Sequence, residues 1–177
     1  MNVVAYCARS WRAATRKAAG VLPLTCPPTN ADTLPRWWLN GHDLIWIDLH
    51  GAPDGQAWYG DDHVVALRAE QLAQAELGGA VVFATTCYLA DAQSPMLDAL
   101  LTAGARYVIA GEGPNYGGAD RLLGTGLLGL WLRGYLALGL AAPKALALAK
   151  QTIRVFAPNS AALRDTLAFR IYERRAS

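Results

Sequence analysis

The sequence predicts an α/β fold in which helices cover both faces of a mostly parallel sheet. Two short apolar runs, residues 44–47 and 80–84, support this prediction. Both are rich in β-forming residues and bounded by glycine or polar residues, as central strands of a parallel sheet are. Residues 68–77 read as a helix between them, which gives the order strand, helix, strand. Because such crossovers are right-handed, we expect both strands to end at the same edge of the sheet.

The remaining elements are predicted from apolar periodicity, caps and breakers. Ser10 and Ser94 are suitable N-caps of helices, and Gly20 and Gly104 are suitable helix stops. Apolar and polar residues alternate near the end of the chain, which suits an edge strand. These signals predict strands over residues 1–7, 21–25, 106–110 and 167–172, and helices over residues 11–19, 95–103, 120–138 and 143–151.

Three stretches have weaker signals. Residues 32–39 form either a short helix or an irregular segment, and residues 161–165 a short helix or a turn. Residues 51–62 are rich in glycine and aspartate and predict a loop, which permits a hairpin with residues 56–59 extended. The glycines within residues 120–138 lower helix propensity but allow close packing.

Length, composition and charge exclude several classes of protein. A chain of 177 residues suits one domain, residues 1–177. A net charge of +2 gives no electrostatic footprint for nucleic acid. No run approaches the ~18 apolar residues of a membrane-spanning helix. We also expect no secretory signal, because the first apolar run is too short for one.

Cysteine and histidine usage predicts a cytoplasmic protein without a metal or cofactor. The cysteines are Cys7, Cys26 and Cys87. An odd number without CxxC pairing suits a reducing compartment better than a disulfide scaffold. The histidines show no metal-ligand spacing with them. No glycine-rich phosphate-binding motif of known spacing follows a predicted strand.

His50 and Cys87 follow the two predicted central strands. Both should therefore emerge at the carboxyl edge of the sheet, where open α/β sheets place their sites. A thiol and an imidazole that meet there make a nucleophile and its base. A cysteine at a strand end is most often a small buried hydrophobe, so position alone leaves both interpretations open.

The continuation of the chain resembles a family of peptidases. A strand that leads to His50-Gly51, followed by one that leads to Cys87, is similar to the caspase–haemoglobinase (clan CD) fold of cysteine peptidases. SPMLDALLTAGARYVIA, LWLRGYLALGL and PKALALAKQTIRV then resemble the CHAT domain in order and spacing. The resemblance covers residues 43–155, and the predicted strand over residues 167–172 also fits. The flank of Cys87, TTCYLA, departs from the family's usual Ala-Cys-Glu-Thr-Gly.

This resemblance implies a caspase-like three-layer sandwich and a cysteine endopeptidase with a dyad of His50 and Cys87. His50 would take the proton of the thiol and later protonate the leaving amine. The backbone N–H groups of Gly51 and Cys87 would form the oxyanion hole. Glycine at position 51 lets the backbone approach the substrate without a Cβ in the way. The resemblance also implies a protein or peptide substrate and a regulatory or sensor partner that activates the enzyme.

Acidic residues near this edge favour a basic P1 residue, the residue before the scissile bond. A basic P1 side chain needs an acid in its pocket, and an acidic one needs arginine. Asp48 has the best case, because an acid within an apolar strand needs a partner. Its alternative role is a structural hydrogen bond to the loop of His50. The candidate acids are Asp48, Asp54, Asp91, Glu112 and Asp120, and no arginine occurs in these loops before Arg121.

Two other functions remain open from the sequence. The unusual flank of Cys87 permits a catalytically inactive, CHAT-like protein-interaction module. A flavodoxin-like nucleotide- or cofactor-binding domain is the third hypothesis. Residues 111–118 are rich in glycine but lack the lysine and the spacing of a phosphate-binding loop, which argues against it.

Overall fold

The computed structural model describes residues 1–91, 93–115, 118–156 and 161–173. Within them the chain forms nine strands, six helices and three short 3-10 turns. The strands are β1 (Val3–Ala8), β2 (Leu24–Cys26), β3 (Leu44–Asp48), β4 (His50–Gly51), β5 (Ala57–Tyr59), β6 (Val65–Arg68), β7 (Val81–Ala84), β8 (Tyr107–Ala110) and β9 (Arg170–Glu173). The helices are α1 (Arg12–Ala19), α2 (Ala69–Ala73), α3 (Pro95–Thr102), α4 (Thr125–Ala137), α5 (Ala142–Phe156) and α6 (Ala161–Ala168). The 3-10 turns are Arg9–Trp11, Arg36–Leu39 and Asp61–His63.

Six strands form the central sheet, in the order β2, β1, β3, β7, β8 and β9. The first five run parallel, and β9 pairs antiparallel with β8 at the edge. The two apolar runs that predict central strands are β3 and β7, and these strands are direct neighbours, with Ile47 opposite Ala84. Their carboxyl ends therefore lie side by side at one edge of the sheet, as predicted.

Helices cover both faces of this sheet, each over its own apolar core. Leu72 of α2 and Met96 of α3 are buried in the core on one face. Ala18 of α1, Leu128 of α4 and Ala145 of α5 are buried in the core on the other. This arrangement confirms the three-layer α/β fold with a mostly parallel sheet.

One glycine of α4 allows that helix to lie close to the sheet. A Cβ on Gly129 would fall 2.1 Å from a ring carbon of Trp46 and 2.5 Å from one of Phe83. The expected close packing is therefore present at this position. Gly134, five residues further along α4, has no heavy atom within 4 Å of a Cβ built there, so close packing does not require a glycine at this position.

A second, three-stranded antiparallel sheet follows β3, in the order β4, β5 and β6. His50 pairs with Tyr59, and Gly51 pairs with Trp58. The hairpin that the sequence permits is thus present, and the extended stretch predicted near residues 56–59 is β5. His50 and Gly51 belong to this small sheet rather than to the end of β3.

The crossover helix is shorter than the prediction of residues 68–77. Arg68 continues β6 opposite Ala57, so sheet pairing takes the first predicted helical residue. After Ala73 the chain turns toward α3, and the Leu77 N–H donates to the Ala103 carbonyl oxygen. Tertiary pairing therefore overrides the helical signal at both ends.

Boundaries near the C-terminus also differ from the predicted ones. Residues 120–124 precede α4 instead of starting it, and Gly124 has a positive φ of 49° at that boundary. α5 continues to Phe156, and α6 confirms the short-helix alternative for residues 161–165 and extends it to Ala168. The predicted break at residues 157–160 lies outside the described residues. In the part of the chain that the structure describes, no helix is long and apolar enough to cross a membrane.

Candidate active site

The structure places His50 and Cys87 on neighbouring segments at the carboxyl edge of the sheet. His50 lies two residues after β3 ends, and Cys87 lies three residues after β7 ends. Gly51 packs directly on Cys87: a Cβ at position 51 would fall 2.0 Å from the Cys87 carbonyl oxygen and 3.2 Å from its backbone nitrogen. Only glycine can bring the segment that carries His50 so close to the Cys87 peptide.

The Cys87 thiol receives a backbone hydrogen bond from the loop after β8. The Asn115 N–H donates to Sγ at 3.2 Å, and the Asn115 side-chain amide donates to the Thr86 carbonyl oxygen at 2.8 Å. The Tyr88 N–H donates to the Gly113 carbonyl oxygen at 2.8 Å, which ties the two loops together. The Cys87 thiol also donates to the Asn115 carbonyl oxygen at 3.6 Å, so both backbone groups of Asn115 contact the sulfur.

The His50 ring lies between an aromatic ring and a carboxylate. Its centroid is 4.3 Å from that of the Trp11 ring, with a 50° angle between the planes. Its Nε2 atom is 4.0 Å from Oδ1 of Asp61. Burial lowers the pKa of His50, and the negative charge of Asp61 acts in the opposite direction. In the described structure no hydrogen bond joins the His50 ring to the Cys87 thiol, and catalytic contacts of this kind often tighten only when substrate binds.

A narrow cavity of about 40 Å³ opens beside Cys87. That volume holds a few water molecules, but not a lysine or arginine side chain. Its polar lining residues include Thr15, Asp48, Thr85 and Arg121. The sequence-predicted acid Asp48 therefore lines the same cavity as Cys87, and Arg121 is also a lining residue.

Two hydroxyl groups hold the Asp48 carboxylate at this cavity. The Thr15 hydroxyl donates to Oδ2 at 2.6 Å, and the Thr85 hydroxyl donates to Oδ1 at 2.5 Å. Burial raises the pKa of Asp48, while both hydrogen bonds and the charge of His50 act against that rise. The hydroxyls come from α1 and from the segment after β7, so three elements fix this acid in place.

A wider, open cleft is lined by His50. Its volume is about 1050 Å³, and Arg9, Tyr59, Asp61 and His63 line it together with His50 and Gly51. A cleft of this size is large enough for several peptide residues. His50 therefore lines the wide cleft, whereas Cys87 lines the narrow cavity.

Glu112 does not line the cavity beside Cys87. Its carboxylate is exposed and lies 3.4 Å from Nε of Arg170 on β9. The other two cysteines, Cys7 and Cys26, are fully buried. All three cysteines are free thiols.

Several residues of this site were not among those predicted from the sequence. Trp11, Asn115 and Asp61 contact the predicted dyad, and each lies just after a strand or in a loop at the carboxyl edge. Their positions in loops at the carboxyl edge were the signal that the sequence offered, because these loops meet at one edge of the sheet. Ser10, predicted as the N-cap of α1, instead lies within a 3-10 turn and bonds to Asp61. Among the described residues, no cluster of histidine, cysteine, aspartate and glutamate is arranged to hold a metal ion.

Comparison with known proteins supports the fold. The chain is similar to two crystal structures of the separase–securin complex of Saccharomyces cerevisiae, with TM-scores of 0.63 and 0.61 and identities of 14% and 13%. Each match covers 97% of this chain and 12% of the matched chain, so this chain spans a small part of that protein's length. No family model and no curated protein matches the sequence, and membership of the CHAT family stays a prediction. At this level of identity the likeness shows the fold: a caspase-like α/β arrangement.

Proposed function

We propose that this chain is a cysteine endopeptidase with Cys87 as nucleophile and His50 as general base. The close contact of Gly51 with the Cys87 peptide carries the proposal, because it brings a histidine-bearing strand and a cysteine-bearing loop together at the carboxyl edge. The hydrogen bond from the Asn115 N–H to Sγ holds the sulfur against the loop after β8. The likeness to separase supports the fold in which this chemistry is proposed.

The proposed reaction follows from these groups. His50 takes the proton of Sγ, and the thiolate attacks the carbonyl carbon of the scissile peptide. The oxyanion binds the Gly51 and Cys87 N–H groups, and His50 gives its proton to the leaving amine. Water, deprotonated by His50, then attacks the thioester, releases the acid product and restores the thiol. No metal or cofactor is needed for any of these steps.

We assign the recognition of a basic P1 residue to Asp48. Two hydroxyls hold this carboxylate at the cavity beside Cys87. A buried carboxylate needs a positively charged partner, and the guanidinium or ammonium group of a basic P1 side chain would supply one. Arg121 lines the same cavity and favours the opposite choice, an acidic P1. Glu112, which the sequence also suggested, pairs with Arg170 and contributes less to the argument.

The size of the cavity supports activation by a protein partner. At about 40 Å³ it cannot admit a long P1 side chain until the loop with Asn115 or the turn with Trp11 moves. A partner that binds these loops would open it, and the matched separase structures are themselves complexes with a protein, securin. The same closed cavity fits the alternative, an inactive protein-interaction module. Free thiols in all three cysteines suit the proposed cytoplasmic location.

Labelling with electrophilic peptide probes tests the proposal. A probe with arginine at P1 should modify Cys87, as mapped by mass spectrometry, and His50→Ala should abolish the labelling while the fold persists. A matched probe with aspartate at P1 should label far less. Preference for the aspartate probe would overturn the assignment of P1 recognition to Asp48 but would not contradict the proposed peptidase activity. Absence of labelling by either probe, with candidate partner proteins added, would favour the inactive module.

A further inference from the structure

Asp61 faces His50 from the 3-10 turn Asp61–His63. Its Oδ1 atom lies 4.0 Å from Nε2 of His50, and only 20% of its side chain is exposed. The next residue, Asp62, is 75% exposed and points to Arg9 instead, at 3.5 Å. Two adjacent carboxylates of the same turn thus differ in their partners, and one of them is directed at the catalytic base.

Ser10 fixes the orientation of the Asp61 carboxylate. The Ser10 backbone N–H donates to Oδ2 at 2.8 Å, and its hydroxyl donates to Oδ1 at 2.8 Å. Nε of Arg9 is 3.9 Å from Oδ2 and neutralises part of its charge. The turn that follows β1 therefore holds Asp61 from two neighbouring residues.

The backbone around Asp61 is strained. Asp62 and His63 have positive φ values of 58° and 57°, a region that non-glycine residues rarely adopt. Among the described non-glycine residues, Tyr88, directly after Cys87, also has a positive φ, of 61°. Strain of this kind persists where the surroundings hold it and concentrates at functional sites.

Trp11 packs on the His50 ring from the same turn that holds Asp61. The Trp11 and His50 ring centroids are 4.3 Å apart, and Trp11 also lines the cavity beside Cys87. One short turn, Arg9–Trp11, thus contributes the two residues that hold Asp61 and the ring that packs on His50. The position of His50 is set by this turn as much as by its own strand.

We propose that Asp61, held by Ser10, is a positioning residue for His50, and this inference rests on the proposed function. The carboxylate accepts from Nε2–H after a small rotation of the ring, which keeps the proton of neutral His50 on Nε2. Nδ1 then carries the lone pair that takes the proton from Sγ. The Asp61 side chain stabilises the imidazolium formed in this step, and the proton leaves from Nδ1 to the departing amine.

Several other titratable groups face His50 and enter its pH dependence. Asp48 acts from β3 and opposes deprotonation of the ring, whereas His63 disfavours its positive charge. Tyr59 lies opposite His50 in the small sheet. The charged or titratable neighbours are Asp48, Tyr59, Asp61 and His63, with Arg9 behind Asp61.

NMR titration of the full chain tests the inference without requiring activity. Wild type should show neutral His50 with its proton on Nε2 in long-range ¹H–¹⁵N spectra. Asp61→Asn should lower the measured pKa of His50, because the imidazolium loses its carboxylate. Where peptide hydrolysis is measurable, kcat should fall about tenfold or more with little change in KM. The acid limb of the pH profile should move in step with the pKa of His50.

Asp62→Asn is the matched control for the titration, since it removes the same charge from the next residue, and it should leave the pKa of His50 nearly unchanged. Ser10→Ala removes one of the two donors to Asp61 and should shift the pKa of His50 in the same direction, but less. A proton on Nδ1 in the wild type, or equal shifts in Asp61→Asn and Asp62→Asn, would overturn the inference. If Asp61→Asn does not fold, the wild-type tautomer and Ser10→Ala decide. A chain without peptidase activity that still shows the predicted shifts would overturn the proposed function alone.

Discussion

Gly51 lies so close to Cys87 that a Cβ at position 51 would fall 2.0 Å from the Cys87 carbonyl oxygen. The contact joins β4 to the segment after β7, and it fixes the distance between the two parts of the site. It also places the Gly51 backbone directly beside the segment that carries Cys87. A side chain there would have to push the Cys87 peptide away.

Gly51→Ala should therefore abolish the proposed peptidase activity. We expect peptide hydrolysis to fall by about 100-fold or more, because small displacements of reacting groups have effects of this size. Overpacking should also lower the free energy of unfolding by about 1–3 kcal/mol. Gly134→Ala is the control: nothing lies within 4 Å, and alanine in a helix should stabilise the protein by about 0.5–1 kcal/mol. Wild-type activity in Gly51→Ala would contradict the proposed geometry.

Alkylation should distinguish Cys87 from the other two thiols. Burial raises the pKa of Cys7 to about 12, so it stays a thiol at pH 8. Burial also raises the pKa of Cys26. Cys87 is only partly buried and accepts the Asn115 N–H. Iodoacetamide should modify Cys87 first in the folded protein, as followed by mass spectrometry, and all three only after unfolding. Equal rates at the three positions in the folded protein would contradict this.

Asp48→Asn should separate stability from substrate recognition. Burial raises the pKa of Asp48 in the folded state above its unfolded value of about 3.9. The folded state thus binds this proton more tightly, and stability falls as pH rises through the folded pKa. Asparagine does not ionise, so the variant avoids this fall in stability and should be more stable than wild type at neutral pH. Its advantage should shrink as the pH falls toward about 4.

Chemical unfolding at several pH values, followed by circular dichroism, measures this difference. The exposed carboxylate of Asp62 provides a comparison, and Asp62→Asn should change the stability by less than about 1 kcal/mol. Cleavage after arginine should fall about 100-fold in Asp48→Asn, because the P1 cation loses its partner. A variant less stable than wild type at pH 7 would show that the two hydroxyl contacts outweigh the cost of burying the charge.

The central sheet could be predicted from the sequence because its strands carry their own signal. Residues 44–47 and 80–84 are apolar and bounded by polar residues, and the structure places them side by side as β3 and β7. The fold rule that parallel strands end at one edge then locates His50 and Cys87. This part of the prediction needed no knowledge of long-range contacts.

The other parts of the site depend on contacts between distant segments. Ser10 has the local pattern of an N-cap, but Asp61, 51 residues later in the chain, takes its hydroxyl and its N–H. Asn115 lies in a glycine-rich loop without a recognisable motif, and its role follows from its contact with Cys87. Similarly, the end of the crossover helix is set by the bond of Leu77 to Ala103. Local periodicity carries no information on such partners.

Asn115→Ala tests the contribution of the loop after β8. The variant loses the hydrogen bond from the side-chain amide to the Thr86 carbonyl oxygen, which holds the Asn115 N–H beside Sγ. One such bond is worth about 1 kcal/mol, so we expect a loss of stability of that size. A corresponding loss in the transition state would lower kcat about fivefold to tenfold. Steady-state hydrolysis and the alkylation rate of Cys87 measure the effect.

Glu112→Gln is a control from the same loop, since Glu112 is exposed and contacts Arg170 instead of the cavity. It should leave kcat, KM and the P1 preference unchanged, because an exposed ion pair contributes little. A loss of cleavage after arginine in Glu112→Gln would place this acid in the substrate pocket, as the sequence suggested.

Unchanged alkylation of Cys87 in Asn115→Ala would instead show that the backbone of this loop holds its position without the amide. In that case the donor to Sγ would depend on the bond between the Tyr88 N–H and the Gly113 carbonyl oxygen, which ties the two loops independently of position 115.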